Sequence, residues 1–280
     1  MAHKHYILPS AGSRCHVMGI LNVTPDSFSD GGRHEAAEAA LGHAKAMIAE
    51  GADIIDIGAE STRPGAASVD EAAEWERLEP VLEPVIALGV PVSIDTYKAA
   101  IARRACALGA ALVNDVWGLQ KDPAMADVVA EAGVPVVMMH NRLEADASID
   151  ILSDIDRFFE RSMELAERAG IPRARQVLDP GFGFGKTVDQ NYLVLNRLES
   201  LAKHGLPILA GASRKRMIGA VLDVPTEDRL FGSLAVHLLA AERGAVIVRV
   251  HDVRPHVEAL AIQAAMRREA GAGERVRTGH

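Results

Sequence analysis

The 280-residue chain reads as an α/β protein folded as one (β/α)8 (TIM) barrel domain. Three observations predict this. Short β-type runs recur along the chain, each separated from the next by a helix-like stretch. The runs are apolar on both faces, as strands are in a parallel sheet covered by helices. Eight such units in roughly 250 residues suit a closed barrel better than an open doubly wound sheet.

In order, the runs are residues 16–22 (HVMGILN), 53–58 (DIIDIG), 91–95 (PVSID), 111–115 (ALVND), 135–140 (PVVMMH), 176–179 (QVLD), 207–211 (PILAG) and 245–251 (AVIVRVH). The stretches between them, such as 35–50 and 99–107, carry apolar residues at helical spacing in an alanine-rich background. Gly51, Gly89, Gly133 and Gly244 stand just ahead of strands, where they suit the C′ position of the preceding helix. No linker, low-complexity tract or internal repeat interrupts the βα rhythm. The organisation expected is an N-terminal extension over residues 1–13, the barrel over 14–268 and a disordered tail over 269–280.

Composition narrows the function classes. A net charge of −8 argues against non-specific nucleic-acid binding, which depends on basic surface, yet leaves room for an anionic small substrate. The two cysteines, Cys15 and Cys106, have no metal-ligand spacing and are too few for a disulfide framework. Buried thiols in a reducing cytosol are expected. The N-terminus MAHKHYILPS has no apolar signal core, and no run is long enough to span a bilayer. A cytoplasmic enzyme or binding protein acting on a small molecule is the expectation.

The segment QVLDPGFGFGK, residues 176–186, is the most informative stretch. An apolar run ends in Asp179, Pro180 bars helix continuation, and glycine then alternates with phenylalanine. Glycine permits positive φ and close approach of a ligand. A phosphate-binding P-loop would need glycine where Pro180 stands, and the dinucleotide fingerprint would need it at Lys186. Both nucleotide readings fail.

Barrel active sites lie at the C-terminal ends of the strands. Reading those ends in order gives Asn22, Gly58 with Glu60 beyond, Asp95, Asn114 with Asp115, Met139 with His140, Asp179, Gly211 with Ser213, Arg214 and Lys215 beyond, and Arg249 with His251. So many polar ends converging on one rim exceed what helix capping requires. The set divides by chemistry. Asp95, Asn114 and Asp179 offer acceptors near the apolar Met139 and Phe184, which suits a flat heterocycle presenting adjacent N–H donors. After the seventh strand, GASRKRMIGAVL reads as strand, turn and helix start with Ser213 as N-cap. Bases crowded there oppose the helix dipole and suggest an anion, and Arg216 reads as solvated. Arg249 and His251 share one side of the eighth strand. The loops 22–32 and 59–75 are long for βα connections and so read as functional lids.

Seven motifs carry a resemblance to one family: GILNVTPDSFSDGG, ESTRPGA, SIDT, NDV, LDPGFGFGKT, SRK and RVHDV, in order between residues 14 and 265. The chain resembles the dihydropteroate synthases of folate biosynthesis. That resemblance implies condensation of 6-hydroxymethyl-7,8-dihydropterin pyrophosphate with p-aminobenzoate, releasing pyrophosphate. It implies a pterin site of Asp95, Asn114, Met139, Asp179, Lys215 and Arg249. Asn22 is the implied protein ligand of Mg2+ and, with Arg249 and His251, contacts the pyrophosphate. Phe28, Thr62, Arg63, Pro64, Phe184 and Ser213 are implied around p-aminobenzoate. Asp30, Lys215, Arg249 and His251 are implied to act in catalysis, through SN1-like loss of pyrophosphate and attack of the aryl amine. Sulfonamide inhibition and a homodimer follow from the same likeness, while the charge and the lack of a long apolar run lead one to expect no nucleic-acid or membrane partner.

The chain departs from the usual pattern after the fifth strand, where Met139-His140-Asn141-Arg142 replaces Met-His-Met and leaves the role of Arg142 open. Two alternatives share the pterin-binding features. A pterin-dependent methyltransferase barrel would not need the two long loops or the Arg249/His251 pair. A pterin-binding relative without turnover would not need Asn22, Asp30, Arg63, Lys215 and His251 intact.

Overall fold

Along every strand, side chains alternate between the barrel interior and the helical shell, so parity decides where each residue acts. The computed structural model describes Tyr6, Leu8, Pro9 and residues 14–23, 32–60 and 69–277. Its strands are β1 (His16–Asn22), β2 (Ile54–Gly58), β3 (Val92–Asp95), β4 (Leu112–Asp115), β5 (Val136–Met139), β6 (Gln176–Asp179), β7 (Ile208–Ala210) and β8 (Ala245–Val250). Each pairs in parallel with the next, and β1 pairs with β8, closing the barrel. The predicted strands shorten by at most one residue at either end.

Nine helices are described: α1 (Gly32–Ala49), α2 (Glu71–Ile86), α3 (Ala99–Leu108), α4 (Met125–Ala132), α5 (Ile151–Arg168), α6 (Val188–Asn196), α7 (Arg216–Leu222), α8 (Leu230–Glu242) and α9 (Val253–Arg277). Gly51, Gly89, Gly133 and Gly244 have positive φ, as their place after helices requires. Helix α6 opens on a complete capping box between Thr187 and Gln190, which anchors the far end of the glycine-rich loop. The α9 backbone runs on through residues 269–277, where a disordered tail is expected from the sequence; arginine, glutamate and alanine flank its two glycines and favour helix.

The interior parity positions explain both stability and site. A lower layer of Met18, Ile54, Leu112, Val137, Val177, Leu209 and Ile247 packs as its own apolar cluster. Moving two residues toward the C-terminal ends turns four of these columns polar, at Asp56, Asn114, Asp179 and Arg249; β5 carries Met139 at that level, and β3 adds Asp95. The opposite parity, including Ile55, Ile57, Ile94, Met138 and Leu178, joins the larger core beneath the helices. Cys15 and Cys106 are buried and free, their thiols pushed by burial up to about 12 and about 11. Among the described residues no helix is long and apolar enough to cross a membrane.

Candidate active site at the barrel mouth

Arg249 is the hub of the mouth. Its Nε donates to Asp56 Oδ2 and its Nη2 to Asp95 Oδ2, each at 2.6 Å. Asn114 Nδ2 reaches the same Asp56 oxygen at 3.2 Å. Strands 2, 3, 4 and 8 are thereby tied across the barrel. Gly211 brings in β6, since a Cβ there would lie 3.6 Å from Asp179 Oδ2 and 3.8 Å from Arg249 Cβ. Asp179 and Arg249 therefore share one end of the barrel, as the sequence leads one to expect. Asp179 also accepts the Gly181 N–H at 2.7 Å through Oδ1.

Burial sets the electrostatics of this cluster. It pushes Asp95 up to about 7 against the opposing pull of Arg249, with Asp56 adding repulsion. It pushes Asp179 up to about 6, opposed by the Gly181 N–H and by Lys215. Arg249 keeps its charge: its raised pKa survives burial because Asp56 and Asp95 flank it. Four buried polar atoms here have no hydrogen-bond partner among the described residues: Asp56 Oδ1, Ser93 Oγ, Asp95 Oδ1 and Asn114 Oδ1. Buried polar atoms are nearly always partnered. With Asp95 ionised beside Arg249, three of the four are carboxylate or amide oxygens that accept only, so the complementary ligand edge carries N–H donors. Met139, buried at the end of β5, supplies an apolar surface beside them.

The loops after β6, β7 and β8 make the rim basic and aromatic. Lys215 Nζ sits 4.0 Å from the centroid of the Phe184 ring. Its Cδ would lie 3.0 Å from a Cβ on Gly183, which has φ +80. The two phenylalanines of the loop divide: Phe182 is wholly buried in the core, while Phe184 is half-buried beside Lys215. Ser213 Oγ accepts the His251 backbone N–H at 3.1 Å and lies 3.0 Å from His251 Nδ1. The hydroxyl proton then points to Nδ1, an assignment that leaves Nε2–H as the free donor. Burial, helped by Arg249 and Arg214, lowers His251 to about 4, so the ring is neutral near pH 7.

Ser213 is not the N-cap of α7. That position belongs to Lys215, without a side-chain cap bond, because Arg214 adopts φ +56 and turns the chain before the helix begins. The Ser213 hydroxyl is engaged with His251 instead. Arg214 is held by Asp252 through Nε at 3.0 Å and Nη2 at 2.5 Å, whereas Arg216 is exposed as expected. Asn22 ends β1 on the interior parity and is exposed at the mouth. Phe28, Asp30, Thr62, Arg63 and Pro64 lie outside the described residues.

Two buried charged residues escape the strand-end reading. Asp56 stands two residues before the end of β2 and is fully buried. Its signal in the sequence is an acid on the interior parity of an otherwise apolar strand. Lys186 carries no strand-end signal, yet it is buried beneath the glycine-rich loop.

A family model described as pterin binding enzyme matches residues 18–251. The chain is 52% identical over 239 residues to the dihydropteroate synthase of Bacillus subtilis, spanning 85% of this chain and 84% of that one. The chain belongs to the dihydropteroate synthase family. Solved dihydropteroate synthases share its fold. That of Clostridium difficile, determined in the presence of pteroic acid, superposes with a TM-score of 0.90 at 47% identity, covering 92% of this chain and 99% of that one. The Yersinia pestis dihydropteroate synthase in complex with a sulfonamide drug gives 0.87 at 45% identity, covering 95% and 98%. As a dihydropteroate synthase the chain is a transferase. The acids, the Arg249 hub and the Lys215–Phe184 pair all fall within the stretch matched by the family model.

Proposed function

We propose that this dihydropteroate synthase joins 6-hydroxymethyl-7,8-dihydropterin pyrophosphate to p-aminobenzoate, giving 7,8-dihydropteroate and pyrophosphate. The observation that carries the reading is the set of orphaned acceptors, Asp56 Oδ1, Asp95 Oδ1 and Asn114 Oδ1, buried around one guanidinium. A 2-amino-4-oxo-pterin edge presents adjacent N–H donors that complete them. Asp179 and Lys215 border the same heterocycle, with Met139 and the Arg249 stem against its faces.

The chain's residues then act on charge and water. Arg249 and the Nε2–H of neutral His251 stabilise negative charge growing on the departing diphosphate. The methylene carbon left behind is conjugated to an electron-rich dihydropterin, so ionisation precedes attack. The aryl amine is neutral at working pH and attacks without prior deprotonation. Phe184 and Ser213 hold p-aminobenzoate on the basic rim, and Thr62, Arg63, Pro64 and Phe28 complete its enclosure. Asp30 stabilises the cation and takes up the released proton. Closure of the two long loops keeps water from trapping the cation.

The donor set fits Mg2+. Among the described residues no group of three or more His, Cys, Asp or Glu is arranged to hold a metal, and Asp56 and Asp95 are already paired with Arg249. Asn22 presents one hard amide oxygen at the mouth. An ion that retains water and takes phosphate oxygens needs little more from the protein. When bound it supplies charge neutralisation on the diphosphate.

A second copy of the chain is the expected partner. Leu193, Val221, Leu222, Phe231 and Leu239 expose apolar surface along α6, α7 and α8, the side of the shell on which that contact is proposed. Turnover with both substrates, read as pyrophosphate release, tests the activity. Release that does not require p-aminobenzoate, or transfer of a methyl group instead, rejects it. Positional isotope exchange in the pyrophosphate without p-aminobenzoate tests the ionisation step.

A further inference from the structure

We infer that Lys186 is a positioning residue for the aromatic wall of the site, acting from beneath the glycine-rich loop through a chain that runs from buried His140 to half-buried Asp154 and Arg142. The inference rests on the assignment of Phe184 to p-aminobenzoate made above.

Burial lowers Lys186 to about 7 against the pull of Asp179, and its protonated form has three hydrogens for three acceptors. These are His140 Nδ1 at 2.7 Å, the Gly181 carbonyl at 2.9 Å and the Phe184 carbonyl at 3.1 Å. Because Lys186 donates to Nδ1, His140 carries its proton on Nε2 and donates to Asp154 Oδ2 at 3.1 Å. Arg142 Nη1 donates to that same oxygen at 2.8 Å. Burial and the nearby Lys186 charge lower His140 to about 3, the neutral state this sequence of bonds requires. The departure after the fifth strand thus acquires a role: Arg142 is the outer anchor of a relay that ends on the loop after β6.

The loop itself depends on that anchor. Gly181, Gly183 and Gly185 all have positive φ. A Cβ on Gly181 would come within 2.0 Å of the His140 carbonyl oxygen, and one on Gly185 within 2.3 Å of Arg142 Cβ, so the two loops interlock. At its far end the loop is tied to α6 by the Gly183 N–H to Asn191 Oδ1 at 2.7 Å and by the Thr187 cap. Lys186 ties the Phe184 carbonyl to that of Gly181, which also accepts the Phe184 N–H at 3.1 Å. The Phe184 ring faces Lys215, while the Gly181 N–H serves Asp179. Charged or titratable groups face Lys186 from each neighbouring element: Asp179 from β6, His140 and Arg142 after β5, Asp154 from α5 and Lys215 after β7.

Steady-state kinetics on full-length Lys186→Met test this. KM for p-aminobenzoate and the inhibition constant of a sulfonamide are expected to rise together, roughly tenfold or more. The rate constant at saturation and the dissociation constant for the pterin pyrophosphate should stay within about threefold, and the KM effect should vanish in a Phe184→Leu background. A folded Lys186→Met with unchanged KM for p-aminobenzoate overturns the inference. So does an equal loss for both substrates, or an effect fully additive with Phe184→Leu. If Lys186→Met does not fold, His140→Phe decides: a rise of about threefold with the same split supports the relay, and no split overturns it. Wild-type turnover in the same assay tests the activity itself, so failure of that reading and failure of this one are separate results.

Discussion

Asp179→Asn separates the carboxylate's two effects, on the fold and on the ligand. The side chain is 4% exposed, and burial holds it at about 6 instead of 3.8. A folded-state pKa raised in this way means stability fully present below the unfolded value and lost as pH rises through the folded one. Ionising the group in place costs about 1–3 kcal/mol, at roughly 1.4 kcal/mol per pKa unit. The neutral isostere keeps an acceptor for the Gly181 N–H and avoids that cost. Free Asp179→Asn should therefore melt roughly 2–10 °C above wild type at pH 8. The advantage should grow between about pH 4 and 6 and disappear below pH 4. Pterin binding should move the other way, because a charge-assisted bond is worth about 1.5–3 kcal/mol, a loss of about 10–150-fold. Calorimetric melting across pH, with titration of the pterin pyrophosphate at pH 8, reads both. A variant that is less stable at every pH, or that binds pterin as wild type does, would refute the reasoning.

Other perturbations probe the remaining features. Arg249→Met strips the shared cation from Asp56 and Asp95; it should cost about 3–5 kcal/mol at pH 8 and less at pH 5, where Asp95 is protonated, by urea denaturation. Its pyrophosphate release should fall at least 100-fold. Gly181→Ala combines φ +67 with a Cβ 2.0 Å from the His140 oxygen, so a loss of about 2 kcal/mol or more is expected in the same denaturation experiment. Sulfonamides should inhibit competitively with p-aminobenzoate, and full activity at high sulfonamide rejects that site assignment. If the proposed dimer forms through this face, Phe231→Glu, at a side chain 79% exposed, should shift its sedimentation equilibrium toward monomer without altering pterin binding.

Periodicity alone determined much of this protein. Strands apolar on both faces, glycines after the helices and polar strand ends are local facts, and they located the barrel and most of its mouth: Asn22, Asp95, Asn114, Met139, Asp179, Arg249 and His251. The family likeness added the proposed p-aminobenzoate contacts of Phe28, Thr62, Arg63 and Pro64, which fall outside the described residues. Tertiary structure decided what local pattern cannot carry. The Arg249 bridges to Asp56 and Asp95 join positions 193 and 154 residues apart, and they form because β8 closes against β1. The engagement of Ser213 with His251, rather than with a helix terminus, depends on the turn at Arg214 and on the loop after β8. Lys186 reads in sequence as one more loop residue; only the packing of two loops shows that its charge is enclosed. A residue's spacing fixes which way it points, whereas its partner depends on how distant segments meet when the sheet closes.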